Sequence, residues 1–331
     1  MAETGFEGHD ARELLGVDIG GTFTDFVLID RNGQTRVHKR LTTPDDPSRA
    51  LLAGVAALGV PPGDAADLVH GSTIATNALL ERKGAHTALI TTRGFADVLL
   101  IGRQNRPALY ALHPRKLEPL VPAKWRFEVT ERVASDGTVV TPLELDELDP
   151  IIEQLLADDV ESVAVCLLFS FLHPAHEQTI RDRLISGQRR GADAQLPKGR
   201  RNTLFVSLSS DVLPEFREYE RTSATVINAY VGPLMGRYLT RLEKGLKGRR
   251  LRIMQSNGGV ISAAKAVAQA ARTVLSGPAG GVVGAHHVAQ LSGCEQVITF
   301  DMGGTSTDVA LCDGAVPTTS EGEVGGMPLR L

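Results

Sequence analysis

The chain has 331 residues with 42% hydrophobic and 22% charged side chains and a formal net charge of -4. That length allows two domains with their own cores, and the charge leaves no footprint for nucleic acid or an anionic membrane surface. No apolar run longer than Val163–Phe169 approaches a bilayer span, and Cys166, Cys294 and Cys312 stand apart, without a disulfide framework or a cysteine zinc site. The polar, acidic start "MAETGFEGHDARE" does not read as a signal peptide, so a cytoplasmic protein is expected.

Strand-like and helix-like segments alternate, which predicts an α/β architecture. "LLGVDI", "TDFVLID" and "TRVHKRL" read as strands, the last two joined by the hairpin signal Asn32-Gly33. A helix is predicted from Pro47 to Gly59. "DLVHGSTIATNALLERKG" predicts a strand running into a helix capped by Ser72 or Thr73 and stopped at Gly84. "HTALITT" reads as a buried strand, Gly102 to Lys124 as loop, and "ASDG" as a second hairpin turn. Next come the helix "DELDPIIEQLLADD", the buried strand "ESVAVCLLFSF" and the helix "PAHEQTIRDRLIS". The polar stretch 187–202 is the expected linker or insertion between a domain over 14–186, preceded by a tail over 1–13, and one over 203–331. In the latter, a helical tract from about Glu215 to Gly245 precedes the strand "LRIMQSN", two helices, and the strand "QVITFDM".

Two turns carry the chemistry. "GVDIGGTFTDFVLID" near the start is nearly repeated by "TFDMGGTSTDVAL" near the end. Asp18 aligns with Asp301, Gly20-Gly21-Thr22 with Gly303-Gly304-Thr305, Thr24 with Thr307 and Asp25 with Asp308. Glycines let backbone N–H groups approach a bound anion, threonine hydroxyls add donors, and the preceding carboxylate suits a hard cation such as Mg²⁺. There is no Gly-Lys dipeptide and no G-x-G-x-x-G, which excludes a Walker A loop and a dinucleotide fingerprint. A duplicated strand–turn–strand loop resembles the actin, hexokinase and sugar-kinase superfamily, in which two related domains each supply one phosphate loop.

Other blocks have two readings. In "HGST", His70 could transfer protons and Ser72 and Thr73 could bind an anion or substrate, or Ser72 caps a helix and His70 packs. "RGFADVLLIGRQNRP" offers Arg93, Arg103, Asn105 and Arg106 for substrate or phosphate contact, or as plain surface residues. In "SGPAGGVVGA", Gly280 and Gly281 could face a nucleotide phosphate or could serve close helix packing. His173 and His176 lack a third ligand for a metal.

These blocks, with "EYERTSATVINAYVGP" and "IMQSNGGVIS", resemble the hydantoinase A and 5-oxoprolinase family from about Leu15 onward. The resemblance implies an actin/hexokinase-like (ribonuclease H-like) duplicated architecture and ATP-dependent opening of a cyclic amide through phosphorylation of the amide oxygen. The alternatives are an ATP-dependent ketone carboxylase subunit or a non-catalytic assembly module. It implies ATP with Mg²⁺ on Asp18 and Asp301, and phosphates cradled by Gly20, Gly21, Thr22, Thr24, Gly303, Gly304 and Thr305, with help from Gly280 and Gly281. Asp301, Asp18 and His70 are the implied catalytic residues. A hydantoinase B-type partner is implied, in a hetero- or homo-oligomer. Members of the family continue well past the second phosphate loop. Only "CDGAVPTTSEGEVGGMPLRL" follows here, so the second domain is expected to be incomplete, with an uncovered apolar face, weak ATP binding and a tendency to associate.

Overall fold

The structure, a computed structural model, describes residues 12–63, 66–105, 110–113, 117–193, 204–302 and 307–330. Strands β1 (Glu13–Ile19), β2 (Phe23–Ile29) and β3 (Thr35–Leu41) lead into α1 (Pro47–Ala57), β4 (Ala66–Ser72), α2 (Ile74–Leu80), β5 (Thr87–Thr92) and α3 (Val98–Ile101). Then come β6 (Arg126–Val129), β7 (Arg132–Val133), β8 (Val139–Thr141), α4 (Leu148–Ala157), β9 (Ser162–Cys166), α5 (Ala175–Asp193), β10 (Phe205–Leu208), α6 (Ser209–Val212) and α7 (Glu218–Leu246). The chain ends with β11 (Arg250–Met254), β12 (Val260–Ser262), α8 (Ala263–Ala268), α9 (Ser276–Leu291), β13 (Gln296–Met302), β14 (Thr307–Asp313), β15 (Glu321–Val324) and β16 (Met327–Arg330). These elements form two compact units, one of residues 1–76, 235–267 and 272–318, the other of residues 77–234, 268–271 and 319–331.

The first unit is built on a six-stranded sheet in the order β12-β11-β4-β1-β2-β3. β1, β4 and β11 run parallel, while β2, β3 and β12 are antiparallel to their neighbours. Alternation along β1 and β2 buries Leu15, Val17, Ile19, Phe26 and Leu28, and α1 packs on that face through Leu51 and Val55. A Cβ at Gly54 of α1 would lie 2.1 Å from Cζ of Phe26, so the helix needs glycine there to seat the ring. Asp46 caps α1, accepting from the backbone N–H of Ser48 at 3.2 Å, with Pro47 in the first turn. The hairpin turn at Asn32-Gly33 forms as expected, with Gly33 at φ 77° and the Asp30 carboxylate accepting from Asn32 and Gln34. β13 and β14 pair only with each other among the described residues and lie against α9.

The second unit holds a parallel four-stranded sheet, β10-β9-β5-β6. Every residue of β5 and β9 is buried, which is why neither shows the alternation of a half-exposed strand, and the β5 threonines Thr87 and Thr91 bond to Ser162 and to the Cys166 carbonyl. Ile90, Val163, Val165 and Leu167 pack on one face with Ile151, Leu155, Ile180 and Leu184 of α4 and α5. Leu89, Ala164 and Cys166 meet Val226 and Ala229 of α7 on the other. Helix α5 runs on to Asp193, past the point where its apolar periodicity fades, because arginine, glutamine and alanine are good helix formers. Among the described residues no helix is long and apolar enough to cross a membrane.

Candidate functional site

The strands that flank the two repeated turns pair in the same register. β1 and β2 pair antiparallel with Asp18 opposite Asp25 and Ile19 opposite Thr24. β13 and β14 pair with Asp301 opposite Asp308 and Met302 opposite Thr307, the identical register. Residues directly opposite each other share a face, so each hairpin presents a pair of carboxylates on one side of its ribbon. The first turn is closed by the Gly20 N–H donating to the Phe23 carbonyl at 2.9 Å. Thr42 braces it from below: its hydroxyl donates to the Gly20 carbonyl at 2.9 Å, and its N–H donates to the Thr22 carbonyl at 2.9 Å. Gly21 and Thr22 remain exposed. Gly303, Gly304 and Thr305 at the tip of the second turn lie outside the described residues.

Helix α9 contacts β4 and β11 as well as β13 and β14. Its glycines bring both aspartates to it. A Cβ on Gly277 would come within 3.5 Å of Oδ1 of Asp18, and one on Gly281 within 3.8 Å of Oδ2 of Asp301. Gly277 and Gly281 are four residues apart and so occupy one face of the helix. On the strand side, a Cβ at Gly71 would sit 3.3 Å from Oδ1 of Asp18. Glycine at these positions keeps the space around the carboxylates open. The start of α9 is tied to the β4–α2 turn, since Ser276 Oγ donates to the Ser72 carbonyl at 3.3 Å and the Leu275 N–H donates to Thr76 Oγ1 at 2.9 Å.

Electrostatics mark Asp18 as the centre of this arrangement. Water reaches it, but surrounding protein weakens its hydration, and that desolvation pushes its carboxyl above the ordinary range. The negative charges of Asp25 and Asp301 push in the same direction. Asp308 is raised by burial and then by Asp301. A cation between these carboxylates would relieve the repulsion. Among the described residues no group of three His, Cys, Asp or Glu side chains forms a ready cage. The donor set therefore suits a hard ion held by one or two carboxylates together with water or phosphate oxygens, as Mg²⁺ prefers.

Several expected residues fall elsewhere. His70 is not placed for proton transfer with a ligand, because it is wholly buried in β4 between β1 and α7. Its Nδ1 hydrogen bonds the Val17 carbonyl at 3.3 Å, and its Nε2 meets the Tyr238 hydroxyl at 2.7 Å. A carbonyl can only accept, so Nδ1 carries the proton and Nε2 accepts from tyrosine. Burial lowers the His70 pKa to about 4 and keeps the ring neutral. Thr24 is also fully buried, with its hydroxyl 3.0 Å from that of Thr42, so it supports the turn from behind. Ser72 is buried and caps α2, accepting from the Ile74 N–H at 3.2 Å, while the Thr73 hydroxyl donates to the Ile19 carbonyl at 3.1 Å beside the first turn. Gly281 lies by Asp301, whereas Gly280 faces Met254, 2.7 Å from its sulfur on an added Cβ, and serves helix packing. Arg103 belongs to the second unit, where its Nε donates to Glu220 at 2.6 Å, and Asn105 is exposed in the same unit. Arg93 pairs with Glu147 at 2.7 Å. Arg106 lies outside the described residues. Gly71 and Gly277, which border Asp18, escaped sequence reasoning because small residues in "HGST" and "SGPAGG" look the same whether they serve a cap, a packing contact or a site.

Comparison with known proteins places these features in context. Residues 14–186 match the model of the hydantoinase/oxoprolinase N-terminal region, and residues 221–331 match that of hydantoinase/oxoprolinase. Caprolactamase subunit alpha of Pseudomonas jessenii is 37% identical over 91% of this chain and 43% of its own length. 5-Oxoprolinase 1 of Arabidopsis thaliana is 33% identical over 94% of the chain and 26% of its own length. A nucleotide-free structure of acetone carboxylase superposes with a TM-score of 0.84 at 30% identity, covering 96% of this chain and 46% of the other. The chain thus spans less than half the length of the relatives it matches.

Proposed function

This chain belongs to the hydantoinase/oxoprolinase family, with an actin/hexokinase-like α/β fold, and on that premise we propose that it is the A-type component of an ATP-dependent cyclic amidase. The observation that carries the reading is the pair of aspartate-bearing strand pairs in identical register, with Gly277 and Gly281 of one helix face against the Asp18 and Asp301 carboxylates. Backbone N–H groups of the turns and the N-terminus of α9 suit phosphate oxygens. Asp18 and Asp301 would hold Mg²⁺, which supplies neutralisation of phosphate charge.

In this reading the amide oxygen of the ring takes the γ-phosphoryl group and ADP leaves. Water then adds at the activated carbon, the adduct expels the ring nitrogen, which takes up a proton, and a second water cleaves the resulting acyl phosphate to carboxylate and phosphate. The contribution of this chain is positioning and charge: the Gly20–Thr22 and Gly303–Thr305 turns hold the phosphates, and Thr42 keeps the first turn rigid. His70 anchors β1 to α7 and takes no proton from substrate. The proposed domains are 14–186 and 203–331, joined by 187–202, and the proposed partner is a hydantoinase B-type subunit. The 0.84 TM-score to acetone carboxylase favours a second reading, an ATP-dependent ketone carboxylase component.

One set of assays separates the readings. Protein supplied with a B-type subunit is assayed for ATP turnover with hydantoin, 5-oxoproline or caprolactam, and with acetone plus labelled bicarbonate. Ring opening coupled to ATP supports the amidase reading, and label in a carboxylate product supports the other. Asp18→Asn and Asp301→Asn are each expected to lower turnover about a hundredfold or more. Undiminished turnover in both variants overturns the assignment of the turns.

A further inference from the structure

A polyphosphate bound at these turns meets an acidic surface, since Asp18, Asp25, Asp301 and Asp308 all lie on the ribbon faces that carry the site. Backbone N–H groups contribute only partial charges, so a full positive charge close to the first turn has a large effect on a multiply charged ligand. The β2–β3 register supplies one. Lys39 lies directly opposite Asp25, extending the cross-strand row Asp18, Asp25, Lys39 on one face of the sheet. Its Nζ is 2.8 Å from Oδ1 and 3.1 Å from Oδ2 of Asp25. It also stands 4.7 Å from the ring centroid of Phe23, the residue that closes the turn. The ammonium is therefore held at the edge of the turn, between a carboxylate and a ring face.

We propose that Lys39 is a phosphate-binding residue, the cation that meets the terminal phosphates at the first turn. This rests on the nucleotide reading given above. An ammonium group carries three donors, and the two oxygens of Asp25 leave at least one for a phosphate oxygen. Lys39 need not leave Asp25 to act: its side chain is 55% exposed, so a ligand can reach it. Asp25 restrains the flexible stem and reduces the entropy lost when the ligand is gripped. An exposed ion pair of this kind contributes little to fold stability, so the sheet itself has small need of it. The second turn lacks the arrangement, since among the described residues no cation pairs with Asp308, the equivalent of Asp25.

The test is calorimetric titration of the purified chain with Mg²⁺-ATP, ADP and AMP up to millimolar concentration, for wild type, Lys39→Met and Lys39→Arg. Lys39→Met is expected to weaken ATP binding about tenfold or more, ADP less, and AMP less than twofold, with melting temperature unchanged. Lys39→Arg is expected to recover most of the loss. Wild-type binding of ATP with equal affinity in Lys39→Met overturns the role of Lys39 and leaves the nucleotide reading standing. A uniform loss for all three nucleotides, without rescue by arginine, shows a structural role and also overturns it. A folded wild-type chain that binds no ATP overturns the nucleotide reading and the proposal with it.

Discussion

The two hairpins are the same object in two different surroundings. In the first, Leu15, Val17, Ile19, Phe26 and Leu28 point away from Asp18 and are between 0% and 4% exposed under α1. Their counterparts in the second, Ile298, Phe300, Met302, Val309 and Leu311, point away from Asp301 and are between 59% and 71% exposed. The alternation is the same, and so is the register of the aspartates. What differs is that the first hairpin has β3, β4 and a helix around it, whereas among the described residues the second pairs with no further strand and lies against α9 on its aspartate side. A repeated sequence thus specifies a local shape, but the energy of that shape depends on what covers it.

Mutation of equivalent positions should expose this difference. Phe26→Ala leaves a cavity beneath Gly54 and is expected to cost about 3–5 kcal/mol, whereas Phe300→Ala should cost less than about 0.5 kcal/mol. Denaturant midpoints of the two variants decide the point, and equal losses would mean that the second hairpin is covered in solution.

The anchor of the first hairpin to α7 makes a pH prediction. His70 has its folded pKa lowered to about 4, below the ordinary 6.5 it regains on unfolding. The unfolded chain therefore takes up a proton between those values while the folded chain does not. Stability from this group is complete above pH 6.5 and is lost as pH falls towards 4, by up to roughly 3 kcal/mol. His70→Leu, itself destabilised because the Tyr238 hydroxyl loses its acceptor, should lack that part of the slope in unfolding curves taken across pH 7 to 4.

Smaller effects refine the comparison. Thr42→Ala removes the hydroxyl that bonds the Gly20 carbonyl and meets Thr24, and is expected to cost about 1–2 kcal/mol while loosening the first turn. Amide hydrogen exchange at Gly20 and Gly21 would register that loosening. Ile298→Lys and Phe300→Lys should change stability by less than about 0.5 kcal/mol. They should nonetheless reduce concentration-dependent association in light scattering, because they break the exposed apolar row. Association undiminished by both substitutions would place the sticky surface elsewhere.

Much of this site could be read without coordinates. The strand–turn–strand signal around Asp18 and Asp301 is local, with strand alternation, turn glycines and Thr-x-Thr-Asp all lying within a few residues of each other. The hairpins at Gly33 and Gly137 were legible for the same reason, and both glycines adopt the positive φ their turns require. His70 was ambiguous because a histidine at a strand end looks alike whether it faces ligand or core. Its state depends on Tyr238, far along the chain, and on complete loss of water. Lys39 was hidden in an ordinary polar strand, and only the β2–β3 register puts it opposite Asp25.

The sequence by itself determined the duplicated turns, the alternation that gives each hairpin an aspartate face and an apolar face, and the α/β alternation of the chain. These follow from backbone sterics and side-chain period, which act over short separations. Only the tertiary structure decided which apolar face is covered and which histidine stays neutral. It also put Gly277 and Gly281 of α9 against Asp18 and Asp301. Burial and Coulomb energy depend on neighbours brought together from distant parts of the chain, and no local pattern encodes them.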